Sequence, residues 1–202
     1  MKTIIAACDG MDFKQSIEFI STIRNNIWGI KIQHSLLPHL SDYIKDGLKV
    51  FVDIKLYDIP STVQRMIEWS IDQGASMVTM HYENGENCFK HIHHLTDLID
   101  ILIVSHLTSM KKNNIKQVQA YLSMTNKECY QGFGAILSPQ DLYLFNEFDT
   151  THKITRVCPG IRLDDTKDDQ IRISTPKEAV ENGADYLVIG RPLKSNPIEL
   201  FL

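Results

Sequence analysis

Phe51-Val52-Asp53-Ile54-Lys55-Leu56-Tyr57-Asp58-Ile59-Pro60 reads as a buried strand running into a turn, yet it carries two carboxylates and an amine. Alternate side chains of a strand point to opposite faces. Asp53 and Lys55 therefore share one face, and Val52, Ile54 and Leu56 share the other. Asp58 falls past the strand end, where Pro60 stops regular pairing. Burial of unpaired charge is costly, so a fold keeps such a set only if the charges pair or do work. An Asp-x-Lys alone is equally well a structural ion pair. The further Asp and the Ile-Pro behind it favour a site.

Working outward, short β-like runs alternate with amphipathic stretches. The strand candidates are residues 3–8, 28–33, 50–56, 77–81, 101–107, 134–137, 154–158 and 186–189. Helical periodicity covers 13–25, 61–73, 112–122 and 175–182. Gln73-Gly74-Ala75 and Asn182-Gly183-Ala184 read as helix ends leading into strands. Ser138-Pro139 and Thr175-Pro176 read as helix starts with proline at the first helical position. Strands alternating with helices imply a parallel sheet, and the count points to a (β/α)₈ TIM barrel. The alternative is an open doubly wound sheet. No Gly-x-Gly-x-x-Gly follows a strand, which disfavours dinucleotide binding. With no linker, repeat or low-complexity segment, residues 1–202 are expected to form a single barrel domain.

The net charge of −4, without a block of like charge, argues against a broad basic surface for nucleic acid. A small anionic ligand needs only one local site. Asp9 interrupts the apolar start too early for a secretion signal, and no apolar run is long enough to span a bilayer. Cys8, Cys88, Cys129 and Cys158 show neither Cys-x-x-Cys nor zinc spacing, so reduced thiols in the cytoplasm are expected.

In a barrel the site forms at the C-terminal strand ends. Asp9 ends the first strand, Lys31 lies late in the second, and Asp53 and Lys55 lie late in the third. His81 ends the fourth, Ser109 follows the fifth, Gly160 and Arg162 follow the seventh, and Gly190 and Arg191 follow the eighth. Recurrence at nearly every end is a stronger signal than any single residue. His81 is a candidate metal ligand only if other ligands converge on it. His91, His93 and His94 sit in an amphipathic stretch, where solvated histidines are the simpler reading.

Together these residues resemble the orotidine 5′-phosphate decarboxylase family. The resemblance rests on Asp53, Lys55, Asp58, Ile59, Pro60 and Thr62 as Asp-x-Lys-x-x-Asp-Ile-Pro-x-Thr, with Asp9, Lys31 and Leu107-Thr108-Ser109-Met110. Ser138-Pro139-Gln140, Pro159-Gly160-Ile161-Arg162, Gln170 and Ile189-Gly190-Arg191-Pro192 extend it over nearly the whole chain. The Asp-x-Lys-x-x-Asp core is shared with sugar-phosphate decarboxylases and hexulose-phosphate synthases. Ile59-Pro60 and Pro159-Gly160-Ile161-Arg162 point to the orotidine branch. Ile32-Gln33-His34 and Cys8-Asp9 depart from the family pattern, which has glycine after the lysine and Leu-Asp at the first strand.

The resemblance implies cofactor-free, metal-free decarboxylation of orotidine 5′-monophosphate, in which Lys55 stabilises and protonates the C6 carbanion. Asp53 would sit near the substrate carboxylate, and Lys31 would link Asp53 to the ribose hydroxyls. Asp9 would accept a ribose hydroxyl; alternatively it caps the helix beginning near Phe13. A homodimer is implied, with Asp58, Ile59 and Thr62 completing the neighbour's site; Thr62 could equally be a helix-start residue. Ser109 would meet the pyrimidine edge, or cap a helix. Gly190 and Arg191 would hold the phosphate, and Gln170 would bridge phosphate and base from a closing segment spanning 163–172. Arg162 would join them, or form a surface salt bridge. Two other functions stay open: a Mg²⁺-dependent enzyme acting on a keto-sugar phosphate, and a binding barrel without turnover.

Overall fold

The computed structural model describes residues 3–105, 114–149, 153–163 and 172–201. Strands and helices alternate along them: β1 (Ile4–Ala7), α1 (Phe13–Ile23), β2 (Gly29–Ile32), α2 (Leu40–Lys45), β3 (Val50–Leu56), α3 (Pro60–Asp72), β4 (Met77–His81) and α4 (Gly85–Ile92). Then follow β5 (Asp100–Val104), α5 (Asn114–Asn126), β6 (Gly134–Ile136), α6 (Leu142–Phe148), β7 (Arg156–Cys158), α7 (Pro176–Glu181), β8 (Tyr186–Ile189) and α8 (Arg191–Ser195). Each strand pairs in parallel with the next, and β8 returns to β1, so the sheet closes into a barrel. The open doubly wound alternative is excluded by that closure.

The strands sort their side chains with a period of two. Ile5, Ala7, Phe51, Met77, Leu102, Val157 and Val188 fill the barrel interior. Ile4, Ala6, Ile30, Ile32, Val50 and Val52 face outward into the larger core beneath the helices. In β2 and β3 the inward row continues past the apolar filling as Lys31, Asp53 and Lys55, which is how alternation delivers charge to the barrel mouth.

Local chemistry explains the helix boundaries. Asp12 caps α1: its side chain accepts from the Gln15 N–H, and the Gln15 side chain accepts from the Asp12 N–H. Asp9 therefore is not the cap and is left for other partners. α7 opens with the expected Thr175-Pro176 start, Thr175 and Glu178 forming a capping box. Gly74 ends the turn after α3 at φ +84°, a conformation that any side chain would strain. Ser138 accepts from the Gln140 N–H over a 3₁₀ turn (Pro139–Asp141), and α6 follows directly.

The far end of the barrel is held by a buried ion pair. Arg156 Nη2, at the start of β7, donates to Asp149 Oδ2 at 2.9 Å and to the Asp149 carbonyl at 3.0 Å. Arg156 also bonds Asn146 and lies over the Phe145 ring. Burial pushes the Asp149 carboxyl up, but hydrogen bonds from the Lys153 N–H and Arg156 outweigh it and hold it below the usual range. All four cysteines are free thiols. Among the described residues no helix is long and apolar enough to cross a membrane.

Candidate active site

Four charges form a continuous chain across the mouths of β1, β2 and β3. Lys31 Nζ donates to both Asp9 carboxylate oxygens at 2.8 Å and lies 3.0 Å from Asp53 Oδ2. Lys55 Nζ donates to Asp53 Oδ1 at 2.8 Å. The signs alternate, so the array is neutral. Side-chain exposure is 44% for Asp9, 7% for Lys31, 11% for Asp53 and 31% for Lys55. The inner pair is thus desolvated, while the Lys55 side chain stays partly exposed.

Burial and charge compete at both inner groups. Burial pushes the Asp53 carboxyl up, but Lys31 and Lys55 outweigh it and hold it below the usual range. Burial pulls the Lys31 ammonium down, and Asp53 and Asp9 reverse this and hold it above the usual range. Both groups are charged at neutral pH. Cys8, one residue before Asp9, is pushed up to about 12 by burial and then by Asp9, so its thiol stays protonated and is no nucleophile.

The end of β3 is irregular. Val52 pairs with Val78 and Leu56 with Met80, so Asp53, Ile54 and Lys55 together span a single residue of β4, Thr79. Lys55 adopts φ +49°, alone among the described non-glycine residues in being positive. Thr79 Oγ1 accepts from the Lys55 N–H at 2.9 Å and donates to Asp53 Oδ1 at 3.0 Å. Asn84 pins the next segment. Its amide donates to the Leu56 and His81 carbonyls at 2.8 Å each, and its Oδ1 accepts from the Asp58 N–H at 3.1 Å. Asp58 Oδ1 accepts from the Ile59 N–H at 2.7 Å, directly before α3. Thr62 lies in the first turn of α3, where it accepts from Arg65 without capping the helix. Tyr57 and Ile59, flanking Asp58, are 65% and 64% exposed.

His81 stands beside this loop with its ring edge-on to Tyr57, centroids 5.8 Å apart. Burial and then the Lys55 charge push its imidazole down, so it is neutral at pH 7. Among the described residues no three His, Cys, Asp or Glu side chains converge as a metal set. His91, His93 and His94 are exposed.

Across the mouth, Gly190 separates β8 from α8, and a side chain there would come within 3.4 Å of the Ala7 Cβ. Arg191 opens α8 and is exposed, and Lys194 Nζ reaches the Asp9 carbonyl at 3.5 Å. Gly160, at φ +82°, follows β7. Ile161 and Ser174 then pair: the Arg162 N–H donates to the Ser174 carbonyl at 2.9 Å and the Ser174 N–H to the Gly160 carbonyl at 3.2 Å. Arg162 is buried, its Nη1 donating to the Ile161 carbonyl at 2.8 Å. Arg172 pairs with Asp141. Ser109, Gln170 and most of the expected closing segment lie outside the described residues.

The family model described as orotidine 5′-phosphate decarboxylase / HUMPS family matches residues 2–197. The chain belongs to this family. A relative named orotidine 5′-phosphate decarboxylase, from Carboxydothermus hydrogenoformans, is 35% identical, with 94% of this chain and 88% of the relative covered. Another of that name, from Dictyoglomus turgidum, is 33% identical over 96% and 89% of the two chains. The crystal structure of orotidine 5′-phosphate decarboxylase from Lactobacillus acidophilus superposes with a TM-score of 0.78 at 23% identity, covering 100% of this chain and 96% of that one. That last likeness establishes the barrel fold.

Within this orotidine 5′-phosphate decarboxylase / HUMPS family member, Asp9, Lys31, Asp53 and Lys55 are brought into direct contact, and Asp58 is held on the adjoining loop. Thr79 and Asn84 escaped the sequence reading. A threonine in an apolar strand and an asparagine before glycine both have ordinary structural explanations.

Proposed function

We propose that this chain decarboxylates orotidine 5′-phosphate to uridine 5′-phosphate, a step of pyrimidine synthesis. The observation that carries this reading is the Asp9–Lys31–Asp53–Lys55 array at the barrel mouth of a chain in this family. Decarboxylation at C6 leaves a carbanion in the ring plane. In this reading no metal or organic cofactor takes the electrons, so side chains supply the electrostatics and the proton.

Lys55 is the proton donor. An ammonium brings both charge and proton to C6, and its partial exposure leaves it within reach of a ligand. Asp53 faces the substrate carboxylate. Two such charges about 4 Å apart repel by roughly 4 kcal/mol at an effective dielectric of about 20. Enzymic acceleration requires about 8–23 kcal/mol, so repulsion supplies a minor part and the preorganised ammonium must supply much of the rest. Lys31 holds Asp53 ionised, and with Asp9 it faces the ribose hydroxyls.

The phosphate is assigned to Gly190 and Arg191, with Gly160 and Arg162 beside them. Gly190 permits close backbone approach, and an arginine can grip two phosphate oxygens. Ser109 is assigned to the pyrimidine edge, and Gln170 to a bridge between base and phosphate. Phosphate contacts of this kind can stabilise a closed state and so lower the barrier at C6. The working unit is a homodimer in the cytoplasm, in which Asp58, Ile59 and Thr62 complete the neighbour's site. The two exposed apolar side chains flanking Asp58 support this, because a loop tip of that kind suits burial against a second copy.

The test is loss of orotidine 5′-phosphate absorbance in the ultraviolet with excess chelator present. Steady loss is expected. Absence of turnover by the folded protein, with turnover of a keto-sugar phosphate once Mg²⁺ is restored, would move the chain to the other branch of its family.

A further inference from the structure

We propose that Thr79 is a positioning residue that sets the working geometry of Lys55 through its hydroxyl. The proposal rests on the decarboxylase reading above and goes beyond it to a residue that need not touch substrate.

The register shift creates the need. Three residues of β3 oppose one of β4, so regular ladder pairing cannot serve all their backbone groups. Lys55 is also held at φ +49°, a conformation that disfavours a residue with a Cβ and persists only when its surroundings over-determine it. The Lys55 N–H finds the Thr79 hydroxyl at 2.9 Å.

A hydroxyl has one proton to give and lone pairs to accept with. The Thr79 proton goes to Asp53 Oδ1 at 3.0 Å. The same carboxylate oxygen accepts from the Lys55 ammonium at 2.8 Å. The bonds close a ring that runs from hydroxyl to carboxylate to ammonium, along the lysine side chain to its own N–H, and back to the hydroxyl. One buried oxygen therefore fixes both ends of Lys55: the backbone directly, and the ammonium through Asp53. Thr79 is fully buried, so water is a poor substitute.

Valine has nearly the same shape and lacks the hydroxyl. Thr79→Val is expected to lower kcat by about 10- to 100-fold, as misplacement of a reacting group does, with KM changed less than about threefold because no substrate contact is lost. Thr79→Ser keeps the oxygen and is expected to retain kcat within about threefold of wild type. That split between kcat and KM, with rescue by serine, is not what mere loss of stability produces.

The experiment measures kcat and KM on orotidine 5′-phosphate for wild type, Thr79→Val and Thr79→Ser, each shown to be folded by circular dichroism. If valine prevents folding, Thr79→Ala removes the same hydroxyl and is read in the same way. Undiminished kcat without the hydroxyl, or a folded Thr79→Ser below a tenth of wild-type kcat, would overturn the assignment. Wild-type protein without turnover would instead remove the decarboxylase reading itself.

Discussion

Asp53 accepts from Lys31 on one carboxylate oxygen and from Lys55 and Thr79 on the other. It is charged although buried, because two ammonium groups outweigh the loss of water. The Arg156–Asp149 pair shows the same physics at a position remote from the mouth. Breaking a buried pair typically costs 3–5 kcal/mol, so Asp149→Asn is expected to lower Tm by roughly 10 °C. The pH dependence follows from the depressed carboxyl. Its folded pKa lies below its unfolded value, so the stabilisation is present above about pH 4 and is lost as pH falls through the folded pKa. Urea unfolding of wild type and Asp149→Asn should differ at pH 7 and converge towards pH 3. A gap unchanged at pH 3 would show that the charge is not the source. For Lys31 the sign reverses, and its contribution fades only as pH rises through its raised pKa.

At the scale of elements, the irregular end of β3 is the feature on which the site turns. Asn84 uses its whole amide there, serving Leu56, His81 and Asp58. Asn84→Ala leaves these three backbone groups to find other partners, at a cost of about 1–3 kcal/mol each where they are buried. A fall in Tm of about 5 °C and a loss of kcat of about tenfold are expected. Thermal unfolding and kinetics that both match wild type would show that the loop needs no such clamp.

The bounds of β3, β4 and β8 were legible in the sequence, because each is a compact apolar run closed by turn residues. Asp53 and Lys55 were legible because alternation places both on the inward row. The register shift was not, since a strand that takes extra residues against its neighbour keeps the same apolar pattern. Thr79 and Asn84 act through that shift and were hidden with it. Asp9 had two readings, and the choice depended on Asp12, three residues on, which takes the cap of α1.

At the scale of the molecule, barrel closure brings residues from β1, β2 and β3 within one hydrogen-bonded array, and sets β8 beside β1 so that Gly190 abuts Ala7. If Asp58 acts in the neighbour's site, mixing Lys55→Ala with Asp58→Ala subunits should restore activity. Random exchange makes half the dimers mixed, each with one intact site of two, so about a quarter of wild-type activity is expected. Inactive mixtures in which mixed dimers are shown to form would contradict a shared site.

The most direct test of the central claim is decarboxylation of orotidine 5′-phosphate by wild type and by Lys55→Ala, followed in the ultraviolet beside circular dichroism of both. Turnover by wild type and its loss in a folded Lys55→Ala protein is the expected result. Comparable turnover in the two would contradict the assignment of the proton donor and of the charge array built around it.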